Sequence, residues 1–168
     1  RDQYKVAIEA GLSPEEAFAA VKHYSRDNSR TPFQWDDSKN AGFTTGNPWL
    51  MVSPDYKRIN AASQINDPDS LLSHYKKLTA LRKNPEYSET VVYGKTVPYL
   101  PEVEKLMAFK RVSDNQTLLV LGNFQTKPQT VKLPSKYKKV VLNNVENVDF
   151  VSDTEIRLEG YQALVIEI

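Results

Sequence analysis

Residues 25–60 read SRDNSRTPFQWDDSKNAGFTTGNPWLMVSPDYKRIN, and neither a helical nor a strand period runs through them. Charged residues, Asn, Gly, Pro and aromatics follow one another instead. A stretch of this length without periodicity inside a compact domain is, when ordered, usually functional. Its first turn sets Arg26 and Arg30 four residues apart, beside Asp27 and Asn28. Thr31-Pro32 then fixes a turn, and Phe33, Trp35, Phe43, Trp49 and Tyr56 supply flat apolar surface. Guanidinium groups, amides and aromatic faces together suit a polyhydroxylated ligand, because a sugar offers dense hydroxyls and flat C–H faces. The same residues equally fit a small core under a long loop, with Arg26 and Arg30 paired to Asp27, Asp36 or Asp37. Composition leaves both readings open.

Periodicity returns on either side. Upstream, Asp2–Ala10 fits a short helix that stops at Gly11, where a left-handed cap suits glycine. Ser13-Pro14-Glu15-Glu16 is a capping box with proline at the first helical position, and Ala17, Phe18, Val21 and Tyr24 then share one face. Downstream, Asp67-Pro68 predicts a further helix start, with Leu71, Leu72, Tyr75, Leu78 and Leu81 or Arg82 as its apolar stripe. Lys76, Lys77, Arg82 and Lys83 sit towards its C-terminal end, where they suit the dipole, and Asn84-Pro85 stops it.

After Pro85 the pattern is β. Strands are expected at Thr90–Tyr93, Lys105–Val112, Thr117–Asn123, Thr130–Leu133, Val140–Leu142, Glu155–Leu158 and Gln162–Ile168. Their spacing of roughly 8–12 residues, with turn signals between, argues for an antiparallel sandwich or barrel. Thr117–Asn123 is nearly continuous in apolar residues, which places it centrally. The expected core is Val92, Phe109, Leu119, Leu121, Phe124, Leu133, Leu142, Leu158 and Leu164.

Composition narrows the function. The chain has 168 residues, and 22 Lys+Arg against 21 Asp+Glu leave a net charge of +1, without the basic footprint of a general nucleic-acid binder. Zero cysteines exclude thiol catalysis and thiolate metal sites. No apolar run approaches the ~18–20 residues of a membrane span. The chain opens at Arg1 without a signal peptide, and reads as a piece of something longer. His23 and His74 lie in helical stretches with no nucleophile or carboxylate partner nearby. Neither a metal-binding spacing nor a glycine-rich phosphate cradle is present, so no metal or cofactor is expected. Asp36-Asp37 and Glu15-Glu16 are adjacent pairs whose members point in different directions, whereas glycoside hydrolysis needs carboxylates facing each other across a sugar. No catalytic residue is assigned.

Ser25–Trp35 (SRDNSRTPFQW) followed by Ala41–Trp49 (AGFTTGNPW) resembles a signature of glycoside hydrolase family 13. The resemblance is to its oligo-1,6-glucosidase, dextran glucosidase and trehalose-6-phosphate hydrolase branch. It continues through Pro54–Asn60, Asp67–Asn84 and Val91–Gly94. Phe33 departs from the methionine usual there, and both residues are large and apolar.

The resemblance implies an α+β fragment. Residues 1–84 would be N-terminal helices and a long loop from the end of a (β/α)8 barrel, namely the excursion after strand eight plus helix eight. Residues 85–168 would be an antiparallel β-sandwich domain. It implies a cytoplasmic, retaining α-glucosidase acting on short α-glucosides such as isomalto-oligosaccharides or trehalose 6-phosphate. The catalytic carboxylates of such an enzyme would lie upstream of Arg1. Within the signature, the implied substrate-binding residue is Arg30, which would recognise the terminal glucose of a small oligosaccharide; Arg26 reads as structural. The alternatives are a non-catalytic glycan-binding β domain and a purely structural one. No nucleic-acid or membrane partner is implied.

Overall fold

The computed structural model describes residues 2–168, with Asp2 and Asn28 described by backbone alone. Two compact units meet at the Asn66–Asp67 bond.

The first unit opens with α1 (Asp2–Glu9), ended by Gly11 at φ +90°, where only glycine is unstrained. Helix α2 (Pro14–Tyr24) starts at the expected capping box: Ser13 Oγ accepts from Glu16 N–H, and the Glu16 carboxylate accepts from Ser13 N–H at 2.9 Å and its hydroxyl at 2.8 Å. Those bonds, the backbone one foremost, hold the Glu16 carboxyl below the usual carboxylate range. Of the expected apolar face, Ala17 is buried whereas Phe18 and Tyr24 are exposed. The aperiodic stretch that follows is ordered in short turns. These are 3₁₀ segments Arg26–Ser29, Lys39–Gly42 and Pro54–Lys57, then the single turn α3 (Ala61–Gln64).

The first helix of the second unit starts three residues later than Asp67-Pro68 suggests. Helix α4 spans Leu71–Lys83 and is capped by Ser70, whose Oγ accepts from Ser73 N–H. The Asp67 carbonyl is taken up by the hydroxyls of Ser70 and Ser73, at 2.7 and 2.6 Å, so Asp67 shapes the approach to the helix. Asn84 ends it in extended conformation before Pro85.

The expected strand at Thr90–Tyr93 is instead a π-helical turn, Glu89–Tyr93. A β-branched run favours strand locally, but tertiary bonds override it. Gly94 N–H closes back on the carbonyls of Glu89 and Thr90, and Thr90 Oγ1 bonds Ser113 Oγ at 2.8 Å. Arg111 then donates to the last carbonyls of the turn: Nη2 to Val91 at 3.1 Å and Val92 at 3.3 Å, Nε to Thr90 at 3.4 Å. Its Nη1 also donates to Thr96 Oγ1. A cation at the C-terminal end of a helical turn meets its unsatisfied carbonyls. Gly94 must be small, because a Cβ there would sit 2.4 Å from the Thr90 oxygen.

Eight strands follow, β1 (Lys95–Pro98), β2 (Leu106–Val112), β3 (Thr117–Asn123), β4 (Gln129–Lys132), β5 (Lys139–Asn143), β6 (Asp149–Ser152), β7 (Glu155–Leu158) and β8 (Ala163–Glu167). They form two wholly antiparallel sheets, ordered β1-β2-β3-β8-β5 and β4-β7-β6. The sheets share one core of Leu119 and Leu121 from β3, Leu164 and Ile166 from β8, Val131 and Leu133 around β4, and Ile156 and Leu158 from β7. A sandwich is therefore the architecture, and β3 is its central strand.

Four expected core residues do not belong to that core. Residues 119 and 121 point inwards, so Val120 points to the other face of the sheet, and its cross-strand partner Phe109 goes with it. Leu142, opposite Val165, lies on that same outer face; both Phe109 and Leu142 are half-buried. Phe124 falls beyond the end of β3 and is 62% exposed, its ring lying where a Cβ on Gly122 would touch it at 3.2 Å. Val92 is half-buried in the π-helical turn rather than in a strand. At the surface Lys136 pairs with Asp153 at 3.0 Å, and Lys138 with Glu167 at 3.7 Å.

Candidate functional site

The signature loop is held by side-chain bonds to backbone. Around Arg26–Ser29, Ser25 Oγ accepts from Asp27 N–H, Ser29 Oγ donates to the Arg26 carbonyl, and Arg30 N–H donates to the Asp27 carbonyl at 3.1 Å. Arg30 thus caps the turn with its backbone and leaves its side chain exposed. Pro32 is buried and anchors the next residues. Phe33 and Trp35 pack edge to face, centroids 4.6 Å apart.

Gln34 and Trp35 are clamped from two directions. Trp35 N–H donates to the Ala41 carbonyl at 2.9 Å. The carbonyls of Gln34 and Trp35 receive the N–H groups of Ala61 and Ala62, both at 2.9 Å. These are donors that the first turn of α3 leaves without an internal partner. Asn60, buried, satisfies a third through its Oδ1 to Ser63 N–H, while Gln34 Nε2 reaches the Ile59 carbonyl.

The intervening bend places Asn40 and Ala41 at φ 57° and 58°, and Asn40 Nδ2 ties it to the carbonyls of Thr44 and Gly46 at 3.1 and 2.8 Å. Gly42, at φ +66°, lies against the Asp36 carboxylate, which a Cβ would meet at 2.7 Å. Asp36 accepts from the Ser38 hydroxyl and from Ser38 N–H, in that order of effect. Its carboxyl is thereby held below the usual range and ionised at neutral pH.

The sequence left two fates open for Arg26 and Arg30. Among the described residues neither makes an ion pair, since Asp36 is engaged with Ser38, and the Asp27 and Arg26 carbonyls, not their side chains, build the turn. Nor do the aromatics form a core under the loop: Trp35 is 55% and Trp49 79% exposed. The loop presents a guanidinium and aromatic faces outward on a tied backbone. Such an arrangement can bind and orient a ligand; among the described residues the loop holds no opposed carboxylate pair for acid–base chemistry. The framework roles of Gln34, Asp36, Asn40 and Asn60 escaped the sequence reading. Only the Asn and Asp content of the loop hinted at them.

His23 stacks edge-on against Tyr24 at 4.8 Å. His74 lines a groove of ≈ 670 Å³ between the start of α4 and the β5–β6 turn, with Ser70, Lys77, Asn143, Asn144 and Glu146.

A family model described as the alpha amylase catalytic domain matches residues 2–94, and one described as the alpha-amylase SusG C-terminal domain matches residues 106–165. The oligo-1,6-glucosidase of Parageobacillus thermoglucosidasius is 37% identical over 99% of this chain, which covers 30% of that relative. The trehalose-6-phosphate hydrolase of Bacillus subtilis (strain 168) is 33% identical over 98% of the chain and 29% of its own length. Among solved structures, trehalose-6-phosphate hydrolase from Bacillus licheniformis aligns with a TM-score of 0.84 at 37% identity, over 99% of this chain and 30% of that one. Isomaltulose synthase from Klebsiella sp. LX3 aligns at 0.89 and 34% identity, over 98% of this chain and 30% of that one. The chain therefore spans about 30% of the length of the relatives it matches.

Proposed function

This chain belongs to the alpha-amylase family, and from that premise we propose that it is the C-terminal part of a retaining α-glucosidase. In this reading residues 1–84 complete a catalytic barrel and residues 85–168 form the β domain that follows it. The whole enzyme hydrolyses short α-glucosides, isomalto-oligosaccharides or trehalose 6-phosphate, in the cytoplasm. The carboxylates that would form and resolve a glycosyl-enzyme intermediate are supplied by the rest of the enzyme. The observation that carries the reading is the loop at 25–35. It offers Arg30 exposed, with no ion pair among the described residues, on a turn closed by its own backbone, next to an aromatic pair.

Arg30 is the substrate-binding residue of the proposal. A planar guanidinium donates two parallel bonds to vicinal hydroxyls, or orients a carboxylate that does so, and a terminal glucose is thereby fixed against the nucleophile. Misplacement by 1 Å is enough to lose about 100-fold in rate. In the full-length enzyme, Arg30→Ala and Arg30→Lys are expected to lower kcat/KM at least ~100-fold, about 2.7 kcal/mol, with melting temperature little changed. Near-normal kinetics with lost stability would make Arg30 a structural residue. Alone, the chain is expected to release no glucose from an aryl α-glucoside.

A further inference from the structure

A groove lies between α4 and β5 with the turn that follows it, wholly inside the unit Asp67–Ile168. Its polar half, ≈ 670 Å³, is lined by His74 and Lys77 from the helix and by Asn143, Asn144 and Glu146 from the other side. Lys77 and Asn143 also line its continuation of ≈ 450 Å³, where the walls include the apolar Ala80, Leu81, Val141 and Leu142.

The two asparagines are fixed. Asn143 donates to the Val145 carbonyl at 2.7 Å and accepts from the side chain of Gln162, which is 1% exposed. Asn144 accepts from Ala163 N–H at 2.7 Å and donates to the Tyr161 carbonyl at 3.0 Å. An amide held through both its oxygen and its nitrogen needs no ordering when a ligand arrives. The charged side chains keep their capacity. Among the described residues the side chains of His74 and Glu146 make no hydrogen bond or ion pair, and Lys77 gives one of three protons, to the Pro68 carbonyl at 3.3 Å.

Charge selects the ligand. An anion meets the Lys77 ammonium but also the carboxylates of Asp69 and Glu146, and a cation meets the same groups with the signs reversed. Either ion loses to one set what it gains from the other. A neutral ligand rich in hydroxyls gains from both, because each hydroxyl donates to a carboxylate as readily as it accepts from an ammonium. The apolar continuation suits the C–H faces of such a ligand, and the volume falls in the range of small-molecule sites.

We propose that the groove between α4 and β5 is a binding site for a neutral saccharide. His74, Lys77 and Glu146 bond its hydroxyls beside the fixed amides of Asn143 and Asn144, and Leu81 and Leu142 take its C–H faces. The site stands on its own lining and needs neither Arg30 nor the proposed activity. Only the choice of an α-glucan as first probe rests on that activity.

The test titrates the ¹⁵N-labelled chain with isomaltotriose, maltotriose and cellotriose, each to about 50 mM, enough to saturate a millimolar site. The expected result is that the amides of Asn143, Asn144 and Glu146 and the imidazole of His74 shift together along one saturating curve. Glu146→Ala removes an exposed carboxylate and should weaken that binding about tenfold with the melting temperature unchanged. Lys77→Met should do the same from the helix side. Inorganic phosphate should bind more weakly than the sugar at the same signals. Four results overturn the proposal. They are no saturable shift at these residues with any of the three sugars, shifts confined to the loop at 25–35, full affinity in both variants, and phosphate binding tighter than sugar. Binding of cellotriose alone keeps the site and removes the α-glucan. Glucose release from an aryl α-glucoside by the full-length enzyme then tests the proposed activity apart from the groove.

Discussion

Arg111→Met removes one guanidinium from a half-buried junction and leaves its aliphatic stem in place. Three backbone carbonyls depend on that guanidinium. The bonds to Val91 and Val92 at 3.1 and 3.3 Å are sound, and the one to Thr90 at 3.4 Å is marginal. A hydrogen bond to a charged group contributes about 1.5–3 kcal/mol. Partial exposure puts each sound bond at the low end, so their loss sums to about 3 kcal/mol, of which water that replaces the donor restores a part. A net loss of about 2 kcal/mol is expected. With a urea m-value of about 1–3 kcal/mol/M, the midpoint should fall by roughly 0.7–2 M in unfolding followed by strand circular dichroism. Arg111→Lys keeps the charge at the end of the turn but not the fork, and should lose about half as much. Amide exchange at Gly94, whose N–H closes the turn onto Glu89 and Thr90, should speed up in both variants. A midpoint shift below about 0.3 M for Arg111→Met, with Gly94 exchange unchanged, would refute the reasoning. The π-helical turn would then be held by Thr90–Ser113 and local packing alone.

Leu121→Ala should cost about 2–5 kcal/mol in the same unfolding experiment, because the side chain is fully buried between the two sheets; Phe124→Ala, at a position the sequence suggested was core, should cost under about 1 kcal/mol. Acid should also loosen the link between Pro85–Tyr87 and β5. Lys139, 2.9 Å from Glu86, and then the Tyr87 hydroxyl hold the Glu86 carboxyl below its ordinary 4.5. A depressed carboxylate stabilises the fold above its unfolded pKa, and that contribution disappears as pH falls through the folded one. Glu86→Gln should therefore flatten the decline in melting temperature below about pH 4.5, slightly because the pair is exposed, and an unchanged slope would count against the pair. The Lys139 ammonium, raised by Tyr87 and Glu86, gives the mirror case: its contribution is present below the ordinary lysine value and is lost only as pH rises through the folded one.

What was legible in the sequence is what local pattern determines. Strands β3 and β7 fall on Thr117–Asn123 and Glu155–Leu158 as expected, and α2 begins at its capping box. An uninterrupted apolar run, a two-residue alternation and a serine-to-glutamate spacing each encode their own structure within a few residues. The misses share a different cause. Strand β1, Lys95–Pro98, has four exposed residues and sits at a sheet edge, so nothing in it alternates. Thr90–Tyr93 reads as strand until Arg111, some twenty residues later, arrives to donate to its carbonyls. Phe109 and Leu142 have the right period and the wrong face, since alternation shows that faces differ and not which one a second sheet covers.

The loop shows the same limit in a sharper form. Its resemblance singled out Arg30, but the bonds that hold it, such as Gln34 to Ile59 across 25 residues, leave no local signature. Its aromatics point the other way. Apolar side chains at Phe33, Trp35, Phe43 and Trp49 argue that this surface leaves water somewhere, and a reading confined to one chain turns that argument into a small core under the loop. The structure exposes them instead while fixing the backbone beneath. Hydrophobicity in a sequence states that a residue is to be covered and is silent on what covers it. When the chain at hand matches only about 30% of its relatives, the cover is to be sought in the polypeptide that the remaining length represents.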